Sequence, residues 1–332
     1  MITGLTLGKY APLHKGHEDI FLAALEEVDK LFVVIYDSPR VIDVPLPVRA
    51  NWIRSLSTSI EVIEAWGGPD VCGDTPEIKK GHEDYLKDLL GGRKIDRFYS
   101  SEFYGEHISK ALNAMDCRLN KTRPICATAI RANPYACRKF LDPAVYNDLI
   151  TNIVFLGAPS TGKTTIAQEM AEEFNTVWMP EYGREYWEKH NIERRLTVDQ
   201  LGDIALGHYS REEALLKDAN KYLFTDTNAL TTRIFSLYYH GVSNKWVNDL
   251  ADIAYRRYDL VFLCDTDIPY DDTPDRSGEG NRADFQKMII ADLNHRRIPY
   301  INLSGNLETR KLKVKEILCR FKKYRNFFGV YL

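Results

Sequence analysis

Midway along the chain the apolar run NIVFL at residues 152–156 leads into GAPSTGKT at 157–164, and a helical run follows at 165–174. A strand, a glycine-rich turn and a helix start in this order satisfy GxxxxGK[ST] in the context the pattern requires. Few sequences constrain a fold so tightly, because the strand must lie inside a parallel sheet and the helix must begin against an anion. Gly157 and Gly162 let successive backbone N–H groups face phosphates, with Ser160, Thr161 and Thr165 around them. Lys163 then balances the β and γ charge, and Thr164 is the magnesium-side hydroxyl. ATP is the ligand this predicts.

Such a turn does not separate a kinase from an ATPase, so the acceptor side must come from residues further on. YLFTD at 222–226 reads as a strand ending in a carboxylate that supports magnesium, which makes Asp226 the second metal-side residue. In PEYGRE at 180–185, Glu181 is placed to accept a hydroxyl proton and Arg184 to hold a charged group. An ordinary helix-cap ion pair explains those two equally well. The stretch DDTPDRSGEGNR at 271–282 offers glycines for a hinge and Arg276 and Arg282 for a phosphoryl group, as a lid would. A solvated charged loop has the same composition.

A second phosphate motif stands at the other end. GKYAPLHKGH at 8–17 follows the first apolar run and opens the first helix, where a parallel α/β sheet binds ligands. His14 and His17, three apart, are expected to donate to ATP phosphates; Gly16 permits close backbone approach, and Gly8, Lys9 and Tyr10 complete the loop.

Composition narrows the rest. With 44% hydrophobic and 27% charged residues the 332-residue chain is globular, and its length suits two domains. A formal charge of −3 supplies no field for nucleic acid or an acidic membrane, so small molecules are the expected partners; a homo-oligomer is compatible with the sequence. Six cysteines without CxxC or metal-ligand spacing predict reduced thiols and no zinc. No apolar run nears the roughly 20 residues of a membrane span, and no signal peptide is evident, so a cytoplasmic location is expected.

Apolar runs near residues 2–7, 31–36, 60–66 and 97–100 alternate with helical periodicity at 17–28 and 77–90, and the pattern restarts at 152–156, 176–179, 222–226, 260–265 and 300–303. The expected fold is therefore α/β with two parallel-sheet domains, 1–150 and 151–332, abutting without a linker. The basic run at 310–325 interleaves Leu312, Val314, Ile317, Leu318 and Phe321, which reads as a last helix packed on the sheet with its charges in water.

The string G-x-Y-x-P-x-H-x-G-H resembles the HxGH nucleotidylyltransferases, a Rossmann-like superfamily, and ICATAIR at 125–131 resembles their late [ST]xxIR signature. That likeness implies that Thr128 and Arg131 join His14 and His17 around ATP; Cys126 stands where the family's version usually has serine. HxGH first and a P-loop kinase second, with EY-x-RE at 181–185, SSEFYG at 100–105 and R-x-x-W from Arg49 to Trp52, resembles the NadR family. The resemblance implies that the second domain phosphorylates nicotinamide riboside and the first joins the resulting mononucleotide to AMP, giving NAD. Some members carry a preceding helix-turn-helix repressor; with the first strand at Ile2, that role is not expected. The phosphate motifs alone also permit a phosphopantetheine adenylyltransferase joined to a dephospho-CoA kinase. A nucleotide sensor with vestigial turnover is the remaining reading, supported only by Cys126.

Overall fold

The computed structural model describes residues 1–69, 73–102, 104–120, 123–193, 195–271 and 279–325. The chain divides into two compact units, Met1–Leu149 and Ile150–Leu332.

In the first unit β1 (Thr3–Gly8), β2 (Lys30–Tyr36), β3 (Ile60–Ala65), β4 (Arg97–Ser100) and β5 (Met115–Arg118) form one parallel sheet of order β3-β2-β1-β4-β5. Its centre is apolar on consecutive residues because helices cover both faces: Leu31, Phe32, Val33, Val34 and Ile35 of β2 are all buried. Chain order reverses between β1 and β4, where connections leave in opposite directions and a crevice opens at the carboxyl ends of the strands. The helix Lys15–Leu25 begins beside it. The strand β5 was not expected. Its sequence MDCR carries no apolar alternation, and as a half-exposed edge it needs none.

In the second unit β6 (Thr151–Leu156), β7 (Trp178–Met179), β8 (Tyr222–Asp226), β9 (Leu260–Cys264) and β10 (Ile301–Leu303) are ordered β10-β9-β6-β8-β7, again parallel. Central β6 serves two cores by strand alternation. Ile153 and Phe155 enter one cluster, where Phe155 stacks on Phe224 and Phe262 at 6.2 and 5.5 Å, while Val154 and Leu156 enter the other. The final helix, Leu307–Arg320, packs Val314 and Leu318 on the first of these clusters. It departs from the expected face at two places: Leu312 is 62% exposed, and Arg310 is only 2% exposed.

The five described cysteines are free thiols. No helix among the described residues is long and apolar enough to cross a membrane.

Candidate active sites

The first site is a cavity of about 780 Å³ at the carboxyl ends of β1, β2 and β4. Gly8, Lys9, Tyr10, His14, Gly16, His17, Thr128 and Arg131 all line it. The His14 carbonyl accepts the His17 and Glu18 N–H groups at 2.7 and 3.2 Å and so starts the helix Lys15–Leu25. The rings of His14 and His17 stack, centroids 3.7 Å apart and 22° between planes. A Cβ on Gly16 would stand 3.1 Å from the His14 ring, so glycine is what lets that ring lie against the backbone. Tyr10, buried and in the left-handed region at φ 42°, presents its ring edge to His17 at 5.0 Å and to Phe21 at 5.4 Å. It braces the second histidine; its phenol is pushed up by burial and stays protonated.

The late motif enters from the helix Ala127–Ala132. Arg131 donates to the Ala11 carbonyl at 2.6 Å and the Thr128 hydroxyl at 3.1 Å, joining this helix to the histidine loop. Arg49, only 1% exposed, donates to the carbonyls of Lys9, Tyr36 and Val44 at 2.5, 3.2 and 3.0 Å. Trp52, one turn on, is buried and donates to Asp148 at 2.6 Å. Of the R-x-x-W pattern, Arg49 holds the loop's backbone at Lys9, and Trp52 ties its helix to the helix Pro143–Leu149. The cavity continues past Asp37, Ser38, Ser100, Ser101, Glu102, His82 and His107, which leaves room for a second nucleotide beside ATP.

The second site grows from the loop between β6 and the helix Lys163–Glu173. Gly157 sits at φ 146°, where a Cβ would lie 2.7 Å from the Cys264 carbonyl oxygen, and Ser160 and Gly162 adopt φ 63° and 78°. Lys163 is buried and donates to the Ala158 carbonyl at 3.0 Å, and Thr161 donates to the same oxygen at 2.8 Å. The Thr161 hydroxyl is thus spent inside the loop, leaving its backbone to face a ligand. Thr165 is exposed on the first turn of the helix.

Asp226 ends β8 at 0% exposure and accepts from the Thr164 hydroxyl at 2.5 Å; its other oxygen, Oδ1, has no hydrogen-bond partner among the described residues. Burial, and then the nearby Glu181 carboxylate, push its pKa up to about 6, against the pull of Lys163. A buried acceptor left open beside a hydroxyl at a helix start fits a hard cation that keeps water and phosphate ligands. Among the described residues no group of three His, Cys, Asp or Glu side chains is placed to hold a metal ion.

Glu181 precedes the helix Tyr182–His190 without capping it by its side chain, and both it and Arg184 act electrostatically on Asp226. Glu181 and Arg184 are therefore on the side of the loop where β7 and β8 end, near Asp226. Glu185 faces elsewhere: Arg211, and then Lys189, hold its pKa down to about 2, and the Arg211 guanidinium lies 4.0 Å over Tyr182. Arg282, 7% exposed, donates to the carbonyls of Ser160 and Ile268 at 2.8 Å each, so it grips the loop's backbone in this conformation. Arg276 lies outside the described residues.

Three residues beyond Asp226 were missed. Thr227 is buried at φ 64°, a strained setting for a β-branched residue, and its Oγ1, the Nδ2 of Asn228 and the Oγ1 of Thr231 have no hydrogen-bond partner among the described residues. Polar atoms buried in this way cost about 1–3 kcal/mol each unless a water or a ligand meets them. Only the polar run directly after a buried strand could have signalled them.

Residues 152–310 match the family profile described as an AAA domain. Over 95% of its length the chain is 27% identical to the trifunctional NAD biosynthesis/regulator protein NadR of Escherichia coli (strain K12), covering 82% of that protein. Its identity to the protein of the same name from Salmonella typhimurium (strain LT2) is also 27%, with the same coverage. Crystal structures of a NadR protein with NAD and AMP-PNP and of one with NR superpose with TM-scores of 0.54 and 0.55 at 22% identity, over 95% of this chain and 94% of those. At that identity they attest the fold of both units.

Proposed function

Because this chain is a member of the NadR family through both of its units, we propose that it makes NAD in two consecutive ATP-dependent steps. The second unit phosphorylates nicotinamide riboside, and the first adenylylates the resulting mononucleotide. The observation that carries the reading is that two phosphate-binding patterns of different chemistry, HxGH and GxxxxGK[ST], stand in one chain related along 95% of its length to proteins named for NAD biosynthesis. Neither site alone fixes the acceptor.

In the kinase step the riboside's primary hydroxyl attacks the γ-phosphorus of ATP, its proton passes to Glu181, and ADP leaves. Backbone N–H groups of residues 157–164 and Lys163 take up the charge on the transferring group. Thr164 and Asp226 are the residues to hold magnesium, which would neutralise the β- and γ-phosphate charge. The Thr227, Asn228 and Thr231 side chains suit the remaining sugar hydroxyls. In the adenylyl step a phosphate oxygen of the mononucleotide attacks the α-phosphorus and pyrophosphate leaves. No covalent enzyme intermediate is needed, and His14, His17 and Arg131 stabilise the spread charge while Arg49 keeps their loop in place. The enzyme works in the cytoplasm on small molecules and not on nucleic acid, in keeping with its small net charge.

Incubation of the protein with ATP, magnesium and, separately, nicotinamide riboside, nicotinamide mononucleotide or phosphopantetheine, with chromatography of the products, tests this. NAD from either nicotinamide substrate is expected. Adenylylated phosphopantetheine with inert nicotinamide substrates would replace the reading with coenzyme A synthesis.

A further inference from the structure

Periodicity puts Arg310 among the solvated lysines of the last helix, and the structure buries it. It lies in the first turns of the helix Leu307–Arg320, where the helix dipole disfavours a cation, and a guanidinium removed from water costs several kcal/mol unless its donors are satisfied. They are satisfied by three loops at once. Nη1 donates to the Thr161 carbonyl at 2.6 Å, Nε to the Gly305 carbonyl at 2.9 Å, Nη2 to the Asp265 carbonyl at 3.2 Å, and Nη2 also pairs with the Asp267 carboxylate. Asp267 in turn accepts the Gly305 N–H at 2.5 Å. Gly305 is at φ 90°, so the turn after β10 is shaped to bring these groups together.

The contact with Thr161 has a geometric consequence. The Thr161 C=O and the Gly162 N–H belong to one planar peptide and point in opposite directions. A carbonyl held outward on Arg310 therefore aims the Gly162 N–H into the phosphate cradle. Arg282 does the same one peptide earlier, since its bond to the Ser160 carbonyl orients the Thr161 N–H. Gln286 completes the frame by accepting the Ala158 N–H at 2.8 Å and donating to the Cys264 carbonyl at 3.1 Å. Arg282 also reaches the segment after β9 through the Ile268 carbonyl, but Arg310 alone of these three side chains ties the turn after β10 to the loop, and both strands lie on the side of β6 away from β8. Glu181, the residue read as taking the hydroxyl proton, follows β7 on the opposite side.

We propose that Arg310 is a positioning residue of the kinase site: it fixes the Thr161–Gly162 peptide in its phosphate-binding orientation, so that ATP meets a preformed cradle while the acceptor side is untouched. This rests on reading residues 157–164 as an ATP site, as above.

Arg310→Gln, Arg310→Lys and, as a control, the exposed Arg320→Ala of the same helix are compared by ATP and riboside KM, by titration with a fluorescent ATP analogue, and by thermal melting. Loss of charged hydrogen bonds worth about 1.5–3 kcal/mol corresponds to about 10- to 100-fold. The ATP KM and the analogue's Kd for Arg310→Gln rise together by that factor, with the riboside KM within about twofold of wild type. Arg310→Lys falls between, because an ammonium reaches one carbonyl without forking to the others, and Arg320→Ala matches wild type. A lowered melting temperature with wild-type ATP affinity, or a parallel rise in both KM values, would overturn the proposal. Should Arg310→Gln not fold, Asp267→Asn loosens one arm of the guanidinium and keeps its bulk: an ATP KM raised several-fold supports positioning, and an unchanged one refutes it. If wild type binds the analogue yet phosphorylates no riboside, the acceptor assignment fails, while the effect of Arg310 on ATP affinity still decides the present inference.

Discussion

The two units meet the same ligand with opposite economies of charge. The first lines an open cavity with a stacked histidine pair, Arg131 and backbone, and hides its supporting cation, Arg49, behind the loop. The second buries a pair of opposite charges, Lys163 and Asp226, with left-handed backbone at Ser160 and Thr227 and an open oxygen on Asp226, whereas the first buries His14 and turns left-handed at Tyr10. Attack at the α-phosphorus inside a long cavity calls for donors spread along a nucleotide. Transfer of the γ-phosphoryl calls for a compact preorganised cradle, and what the second unit adds is the desolvation of a carboxylate and an ammonium, Asp226 and Lys163.

The comparison breaks most sharply with Lys163→Ala. Phosphorylation of the riboside should fall by about 10³-fold while conversion of mononucleotide to NAD stays near wild type, as separate product assays would read. His17→Ala reverses the pattern, with an expected loss of about 10²-fold in the adenylyl step and mononucleotide accumulating from riboside. If either variant damages both steps alike, the two sites are not separate.

Asp226→Asn sharpens the point about stored cost. A carboxyl whose folded pKa is raised to about 6 favours the folded state at pH values below its unfolded pKa, and that contribution is lost as pH rises through 6. Without nucleotide or metal, the variant should therefore melt higher than wild type at pH 7, by a margin that grows between about pH 4 and 6, although its kinase activity is lost. A lower melting temperature at every pH would show that Asp226 supports the fold. His208 acts in the other direction. Burial, then Arg257 and Arg211, depress its pKa to about 4, so its contribution is present above about pH 6.5 and disappears as pH falls through 4. His208→Leu should flatten the acid side of the second unit's melting profile by on the order of 3 kcal/mol, and an unchanged profile would assign acid sensitivity elsewhere. The smallest effect belongs to Cys126→Ser, which lines the first cavity: adenylyl activity should stay within about tenfold of wild type, the upper range of a single neutral hydrogen bond.

What could be read from the sequence follows the same division. Glycine-bearing loops between strand and helix declare themselves, because the backbone geometry that binds phosphate demands particular residues at fixed spacing. The sheets were legible wherever a strand is buried on both faces, as β2 and β6 are; β5 was not, since a short polar edge strand has no pattern to show. Thr227 and Asn228 were invisible because their significance lies in burial and, for Thr227, a positive φ, neither of which residue type records. Arg310 and Arg282 illustrate a further limit. In sequence Arg310 looks like a surface arginine and Arg282 like part of a lid or a solvated loop, and each is turned inward onto a carbonyl of the phosphate loop.

The central claim is that one chain carries out two consecutive reactions at two independent sites, and mixing the two lesions tests it most directly. With riboside, ATP and magnesium, Lys163→Ala alone should form no mononucleotide, His17→Ala alone should stop at mononucleotide, and the mixture should make NAD. A mixture that makes no NAD, although His17→Ala still releases mononucleotide and Lys163→Ala still adenylylates it when it is added, would contradict the account.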